Sequence, residues 1–396
     1  MEQKLIGTTT VFFTDRCREK NKGILKLTHP AMLAEEETLR WLDSVHLDEV
    51  AANMDADLRT AAENALSKGT VLLANTAWKT ADEWEKWLQI DNKKKKRVHL
   101  LALGDVGSTV LTALKLMGGD CIETLGIYDV NPDVCARWET ELNQAAFPWD
   151  YDALPTVEIL TEEQLFDCDM FVFCASKGIP PVGSQVQDVR MVQYEANKGI
   201  ISIFAKKARD AKFEGLFAVV SDPVDPLCHA AFLASNEDEA GIFDGKGLRP
   251  EQVQGYGLGV MNARAAYYAK QNPNFADFLT EGRAFGPHGQ DLVIANSIAN
   301  YDDERSKALT KLAIEANLRM RELGFKPYVA PAISSAAISL LLTLRGEWHY
   351  SSNFLNGVYM GSKNRTTLGV EIESLPLPDA LFQRIQKAYD GLEMIR

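Results

Sequence analysis

The chain has 396 residues, 46% of them hydrophobic and 24% charged, which is typical of a folded globular protein and excludes a largely disordered one. Its 55 acidic residues outnumber the 42 lysines and arginines and give a net charge of −13, which disfavours a general nucleic-acid-binding protein because an acidic surface repels phosphate backbones. The N-terminal residues lack the pattern of a secretory signal, the six cysteines form no CxxC pair, and no apolar run approaches the length of a membrane-spanning helix. We therefore expect a cytoplasmic protein of two or three domains that binds neither membranes nor nucleic acids.

The residues before the lysine-rich run DNKKKKR (91–97) combine strand-like and helix-like stretches. The strand-like runs are TTTVFF and TVLLAN, and the periodic helical stretches are 31–47, 55–67 and 81–88. The lysine-rich run precedes a short apolar run, and we interpret it as a solvated linker rather than a nucleic-acid site because the whole chain is acidic. The sequence thus predicts a small N-terminal α/β extension over 1–96, of unknown role.

From residue 98 onwards, strand-like and helix-like stretches alternate, which is typical of a parallel, doubly wound sheet. The predicted strands are 100–103, 124–130, 170–174 and 216–221, and the predicted helices are 108–117, 134–144 and 191–209. After about residue 255 the pattern changes to longer helices at 263–271, 304–323 and 332–344, two strand-like pieces at 357–360 and 368–373, and a closing helix from Pro378. We predict a Rossmann-type domain over 97–254 and an α+β domain over 255–396.

A glycine-containing turn, ALGDVG (102–107), follows the first strand of this Rossmann-type domain and opens a helix. Gly104 and Gly107 suit a tight turn whose backbone N–H groups approach a pyrophosphate over the helix N-terminus, although the GxGxxG pattern has a further glycine where this chain has Ala102. Asp129 ends the next strand, where a carboxylate can accept hydrogen bonds from ribose hydroxyls and repels a 2′-phosphate. The turn and Asp129 predict a site for NAD rather than NADP. The predicted cofactor-binding residues in this region are Gly104, Asp105, Val106, Gly107 and Asp129.

Four further segments follow in a fixed order. They are DVR with an asparagine seven residues later (188–190 and 197), VSDPVD (220–225), GYG with NAR after it (255–257 and 262–264), and GPHG (286–289). In this order they resemble the ESR loop with its asparagine, VSNPVD, GSG…LDSAR and GEHG of the L-lactate/malate dehydrogenase family. The resemblance covers roughly residue 98 to the C-terminus. It implies an NAD-dependent oxidoreductase that interconverts a small 2-oxo acid and its 2-hydroxy acid, and a homo-oligomer, either a dimer or a tetramer.

The resemblance also assigns roles to individual residues. His288 is the expected acid/base, because hydride transfer at an alcohol carbon needs a group that exchanges the hydroxyl proton. Arg264 is the expected anchor for a carboxylate substrate, and Arg190 the expected loop cation that polarises the reacting oxygen and contacts the substrate. Asn262 is assigned to the substrate, and Ala175 and Asn197 to the cofactor. No histidine or cysteine has metal-ligand spacing, so no metal is expected.

Two positions depart from the family pattern. Met261 stands where the family has the aspartate that orients its histidine, and Asp222 stands where the family has the asparagine of VSNPVD. Asp222 is therefore a candidate catalytic residue that takes over the orientation of His288; alternatively it pairs with an amino group on the substrate, or only forms a hydrogen-bonded turn. These departures leave two other functions open: a reductase of an imine or amino-ketone, and a non-catalytic dinucleotide-binding redox sensor.

Overall fold

The computed structural model describes residues 2–89, 95–177 and 189–395, without the side chains of 189–192. The strands are β1 (Glu2–Ile6), β2 (Thr9–Thr14), β3 (Ile24–Lys26), β4 (Val71–Asn75), β5 (Lys96–Leu101), β6 (Ile122–Tyr128), β7 (Thr156–Ile159), β8 (Met170–Phe173), β9 (Leu216–Val219), β10 (Val253–Gly255), β11 (Arg283–Phe285), β12 (Val293–Ala295), β13 (His349–Leu355), β14 (Val358–Thr366) and β15 (Val370–Ile372). The α-helices are α1 (Ala31–Ala34), α2 (Ser44–Asn53), α3 (Ala56–Leu66), α4 (Ala81–Leu88), α5 (Asp105–Met117), α6 (Pro132–Asn143), α7 (Val189–Asp210), α8 (Val224–Asn236), α9 (Leu258–Ala269), α10 (Phe278–Glu281), α11 (Asp303–Glu322), α12 (Ile338–Leu344) and α13 (Asp379–Glu393).

In the described part of the chain, thirteen of these strands form one sheet, in the order β1-β2-β4-β3-β15-β14-β13-β10-β9-β8-β5-β6-β7. The six strands from β7 to β10 are mutually parallel and follow the strand order of a dinucleotide-binding doubly wound sheet. On the other side of β10, β13, β14 and β15 continue the sheet with antiparallel pairing. The predicted fold class, a Rossmann-type sheet followed by an α+β part, is confirmed.

Residues 2–89 do form strands and helices, but their strands belong to this same sheet. β3 pairs in parallel with β15 through Leu25 and Val370, and it pairs antiparallel with β4. The contact between the two segments extends beyond the sheet, since the backbone N–H of Gly23 donates to a carboxylate oxygen of Glu251 at 2.8 Å. The predicted boundaries at 96/97 and 254/255 stay predictions, and the predicted linker falls largely on residues 90–94, outside the described residues.

Most predicted elements lie within a few residues of the observed ones, and the exceptions have local causes. The helix predicted over 31–47 is wrong: α1 ends at Ala34, and Thr38 starts a new helical turn by accepting a hydrogen bond from the backbone N–H of Arg40. Helix α8 was not predicted because it is buried on nearly every side and therefore lacks an amphipathic period. None of the described helices has the length and apolar character that crossing a membrane requires.

Candidate active site

The carboxyl ends of the parallel strands gather the predicted site residues at one edge of the sheet, which is where doubly wound folds bind ligands. Gly104 follows β5, Asp129 follows β6, and Ala175 follows β8. Asp222 follows β9, and Gly257 follows β10 and precedes α9. The sheet topology therefore brings together segments that lie far apart in the sequence.

The turn between β5 and α5 brings the first turn of the helix very close to the end of the strand. A Cβ atom on Gly107 would lie 2.0 Å from the carbonyl oxygen of Ala102, so only glycine lets the first turn of α5 approach the end of β5. Gly104 is the N-cap of α5, and no described side chain caps this helix. The first backbone N–H groups of α5, from Asp105, Val106 and Gly107, therefore remain available for an anion.

The Asp129 carboxylate links this turn to the end of β6. Its Oδ2 accepts a hydrogen bond from the backbone N–H of Leu103 at 2.8 Å, and its Oδ1 accepts one from the backbone N–H of Asn131 at 3.0 Å. A carboxylate offers about four acceptor positions, so these two bonds orient Asp129 and leave capacity for ribose hydroxyls.

Ala102 occupies the place of the first glycine of the GxGxxG pattern, and its backbone has a left-handed φ of 71°. A Cβ atom is unfavourable in this region, whereas glycine adopts it freely. We expect Ala102→Gly to raise the free energy of unfolding by up to about 1 kcal/mol, the relief of strain exceeding the entropy that glycine adds to the unfolded chain. Urea denaturation of the two proteins measures this difference, and a less stable glycine variant would contradict the strain argument.

Asn197 is fully buried, and its amide connects two strand-end loops. Its Oδ1 accepts a hydrogen bond from the backbone N–H of Lys177 at 2.9 Å, and its Nδ2 donates to the carbonyl oxygen of Asp222 at 2.7 Å. The hydroxyl of Ser221 donates to the carbonyl oxygen of Ala175 at 2.7 Å, which adds a second link between the same loops. Asn197 thus fixes the backbone that presents Asp222.

His288 lies in the loop after β11, between two glycines with left-handed φ angles, Gly286 and Gly289. Its Nδ1 is 3.1 Å from Oδ1 of Asp222, and the side chains are 18% and 48% exposed, respectively. Gly257 makes room for this histidine, because a Cβ atom at Gly257 would lie 2.9 Å from the Cβ of His288. The structure therefore brings Asp222 to the imidazole nitrogen that an orienting carboxylate has to reach.

A second carboxyl group, that of Asp225, interacts with His288 and is 4% exposed. Burial raises the pKa of Asp225 to about 6, although the Ser352 hydroxyl and His288 favour its charged form. Asp225 and His288 line a cavity of about 200 Å³ that the sequence motifs did not predict. Other residues that line this cavity are Tyr194, Gln290, Asp291, Gly391 and Ile395.

Arg264 lies on α9 and is half-buried. Among the described residues, its Nη1 contacts two neutral acceptors, the sulfur of Met261 at 3.5 Å and the carbonyl oxygen of Ala313 at 3.4 Å. Among the described residues, no carboxylate lies within 4.0 Å of its nitrogens. Burial lowers the pKa of Arg264, while Tyr268 and Asp222 oppose this effect. The site thus holds a guanidinium suited to a carboxylate from outside the chain.

Two other predicted substrate residues are less defined. Asn262 lies two residues before Arg264 on α9 and is half-buried. Arg190 lies in the first turn of α7, but its side chain and the preceding residues 178–188 are outside the described residues. Its role as a polarising cation stays a prediction. Within the described residues, no group of three or more His, Cys, Asp or Glu side chains is arranged to hold a metal ion.

No protein-family profile matches the chain, but individual proteins do. The malate dehydrogenase of Sulfurimonas denitrificans is 26% identical over 67% of this chain and 81% of its own length. The probable malate dehydrogenase of Campylobacter jejuni is 27% identical over 69% of this chain and 87% of its own. The L-lactate dehydrogenase of Staphylococcus haemolyticus is 24% identical over 62% of this chain and 73% of its own.

Solved structures share the fold at lower identity. The malate dehydrogenase of Archaeoglobus fulgidus in complex with NADH has a TM-score of 0.60 at 18% identity, over 76% of this chain and 98% of that one. A lactate dehydrogenase from a Medee basin deep-sea metagenome has a TM-score of 0.61 at 18% identity, with the same coverage. Sequence relatives, fold and motif order together fit a divergent member of the L-lactate/malate dehydrogenase family.

Proposed function

We propose that this protein is an NAD-dependent dehydrogenase that acts on a CH–OH group and interconverts a small 2-hydroxy acid and its 2-oxo acid. The observation that carries the proposal is the pairing of His288 with Asp222 at the same sheet edge as Arg264, a guanidinium with no carboxylate partner among the described residues. The names of the sequence relatives, malate and lactate dehydrogenases, support the reaction type. The proposal includes the homo-oligomer that the family resemblance implies.

The described residues fit a dinucleotide. The uncapped N-terminus of α5 suits a pyrophosphate, and the close contact at Gly107 keeps the turn short. The oriented carboxylate of Asp129 suits ribose hydroxyls and disfavours a 2′-phosphate, which supports NAD over NADP. NAD held by the α5 N-terminus and Asp129 would supply the hydride acceptor for oxidation of the 2-hydroxy acid, and NADH the hydride donor for the reverse direction.

The proton is handled by His288. Because Asp222 accepts the Nδ1 proton, Nε2 carries the lone pair that takes the hydroxyl proton of the 2-hydroxy acid. The imidazolium formed in this step is stabilised by the Asp222 carboxylate. In the opposite direction, the same Nε2 proton is given to the oxygen of the 2-oxo acid. Asp222 thus performs from the β9 loop the function that the family's aspartate performs from the position of Met261.

The charges near the site favour a substrate with a single carboxylate. Arg264 can bind one carboxylate through two parallel hydrogen bonds, and Arg190 is expected at the reacting oxygen. The loop before Arg190, residues 177–187, lacks the arginine that malate enzymes of the family use for a second carboxylate. Asp222 would repel a further negative charge near His288. We therefore propose a monocarboxylic 2-oxo acid as the substrate class.

The other readings of Asp222 have less support. Its contact with His288 gives the carboxylate a partner within the protein, so an amino group on the substrate is not needed to explain it. A non-catalytic redox sensor does not need Arg264, which has no carboxylate partner among the described residues and whose burial costs desolvation energy.

A substrate panel tests the proposal. Pyruvate, longer and branched 2-oxo monocarboxylates, oxaloacetate and 2-oxo acids with an amino group are each assayed with NADH and with NADPH. We expect turnover on at least one monocarboxylate, at least tenfold higher kcat/KM than on oxaloacetate, and a clear preference for NADH. NADH binding without turnover on any acid would favour the non-catalytic reading, and a preference for NADPH would contradict the role of Asp129.

A further inference from the structure

The first residue of α5, Asp105, is paired with a lysine from a distant part of the chain. Nζ of Lys326 lies 2.9 Å from Oδ2 of Asp105, and the two side chains are 81% and 50% exposed. Lys326 belongs to the segment 323–330, between α11 and the π-helical segment Pro331–Ala337 that precedes α12. The ion pair therefore spans from this segment to the turn at which the proposed cofactor site begins.

The chain that follows Lys326 lies along α5. Tyr328 and Ile333 line a groove on α5 together with Thr109 and Thr112, which lie one and two turns beyond Asp105. The π-helical segment that follows also packs against α5, so the chain after Lys326 is held beside this helix by more than the ion pair alone.

An aspartate at this place creates an electrostatic problem for the proposed ligand. The N-terminus of a helix favours an anion, but the Asp105 carboxylate already supplies one negative charge there. A dinucleotide pyrophosphate would bring further negative charge next to it, and like charges at close range repel. Among the described residues, Lys326 is the cation that contacts Asp105. A cation at this helix N-terminus offsets the repulsion between the Asp105 carboxylate and a pyrophosphate.

We propose that Lys326 is a cofactor-binding residue that donates to the pyrophosphate of the dinucleotide, with Asp105 holding its ammonium in place. This proposal rests on the proposed function, because it assigns a further residue to the same cofactor site. Lys326 contacts the cofactor and not the reacting atoms. Its removal therefore weakens cofactor binding and leaves the proton transfer at His288 intact.

Binding of ADP-ribose tests the proposal without relying on turnover, since this probe carries the pyrophosphate and no nicotinamide. Calorimetry is expected to give a Kd for ADP-ribose about tenfold higher for Lys326→Gln than for the unmodified protein. This difference should shrink when the salt concentration is raised, because the site is exposed and screened. Asp105→Asn removes both the contact that holds the ammonium and the carboxylate that repels the pyrophosphate, so it is expected to weaken ADP-ribose binding less than Lys326→Gln does.

Lys311→Gln is the matched control, because Lys311 is an exposed lysine on α11 that lies 4.0 Å from Glu315. The inference is wrong if Lys326→Gln binds ADP-ribose as tightly as the unmodified protein, or if Lys311→Gln weakens binding by the same factor. If the unmodified protein binds neither NADH nor ADP-ribose, the proposed function fails, and this inference fails with it. If it binds both and only the Lys326 effect is missing, the proposed function stands and this inference alone is overturned.

Discussion

Asp222→Asn is expected to lower kcat about 10³- to 10⁴-fold while the KM for the 2-oxo acid and the Kd for NADH change little. The asparagine is close in shape, but its neutral amide neither stabilises an imidazolium nor selects the tautomer with a proton on Nδ1. The substitution installs the residue that the family carries at this place. It removes activity because Met261 cannot supply the missing carboxylate. Steady-state kinetics with the best acid of the panel, together with NADH titration, measure the two effects separately.

Asp291→Asn provides the control for this variant. Asp291 lines the same cavity as His288, and its left-handed φ of 65° is one that asparagine tolerates. We expect it to keep kcat within about threefold, since it makes the same change of charge without touching the Nδ1 contact. A kcat for Asp222→Asn near that of the unmodified protein would end the proposed role of Asp222, as would an equal loss in both variants.

Arg264→Gln is expected to lower kcat/KM for the 2-oxo acid about 10³-fold, mainly through KM, because two charge-assisted hydrogen bonds to the carboxylate are lost. Arg264→Lys should recover little of this loss, since a lysine cannot form the planar pair of bonds. The free energy of unfolding of Arg264→Gln is not expected to fall along with its activity. The contacts of the half-buried guanidinium with described residues are neutral, so its removal should leave the free energy of unfolding unchanged or higher.

Arg283→Gln is the contrasting control for stability. Arg283 makes two hydrogen bonds to the Glu373 carboxylate, at 2.6 and 3.0 Å, so its loss should cost about 1–3 kcal/mol of unfolding free energy. Urea denaturation and kinetics of the three variants compare the two arginines. Full activity of Arg264→Gln would remove the carboxylate anchor from the proposal. A loss of stability as large as that of Arg283→Gln would show that Arg264 serves the fold.

The Rossmann-type part of the fold could be predicted because each of its strands and helices carries its own local signal. The apolar run of β5 and the glycine turn before α5 are examples of such signals. The joining of the N-terminal strands to the same sheet could not be predicted in this way. It depends on the pairing of Leu25 with Val370, between strands of only three residues that are too short to show a period.

In the candidate site, too, single residues could be predicted from local motifs, but contacts between residues far apart in the sequence could not. The motifs indicated His288 and Asp222 separately, but the sequence left three readings of Asp222 open because the two residues are 66 positions apart. The structure adds their proximity, since Nδ1 of His288 lies 3.1 Å from Oδ1 of Asp222. Lys326 was missed altogether, because a lone lysine after a helix carries no motif and only the fold brings it to Asp105, 221 positions away.

The sheet runs without a break from the N-terminal strands into the dehydrogenase-like part of the chain, so we do not expect that part to fold independently of them. Removal of residues 2–89 would expose the edge of β15 and leave its backbone groups open to pairing with other chains. Through β14 this edge is one strand away from Gly361, whose carbonyl oxygen accepts the N–H of Gly286 in the loop that carries His288. The N-terminal strands are thus connected, through β15 and β14, to the loop that carries His288, and we expect their removal to disturb that loop.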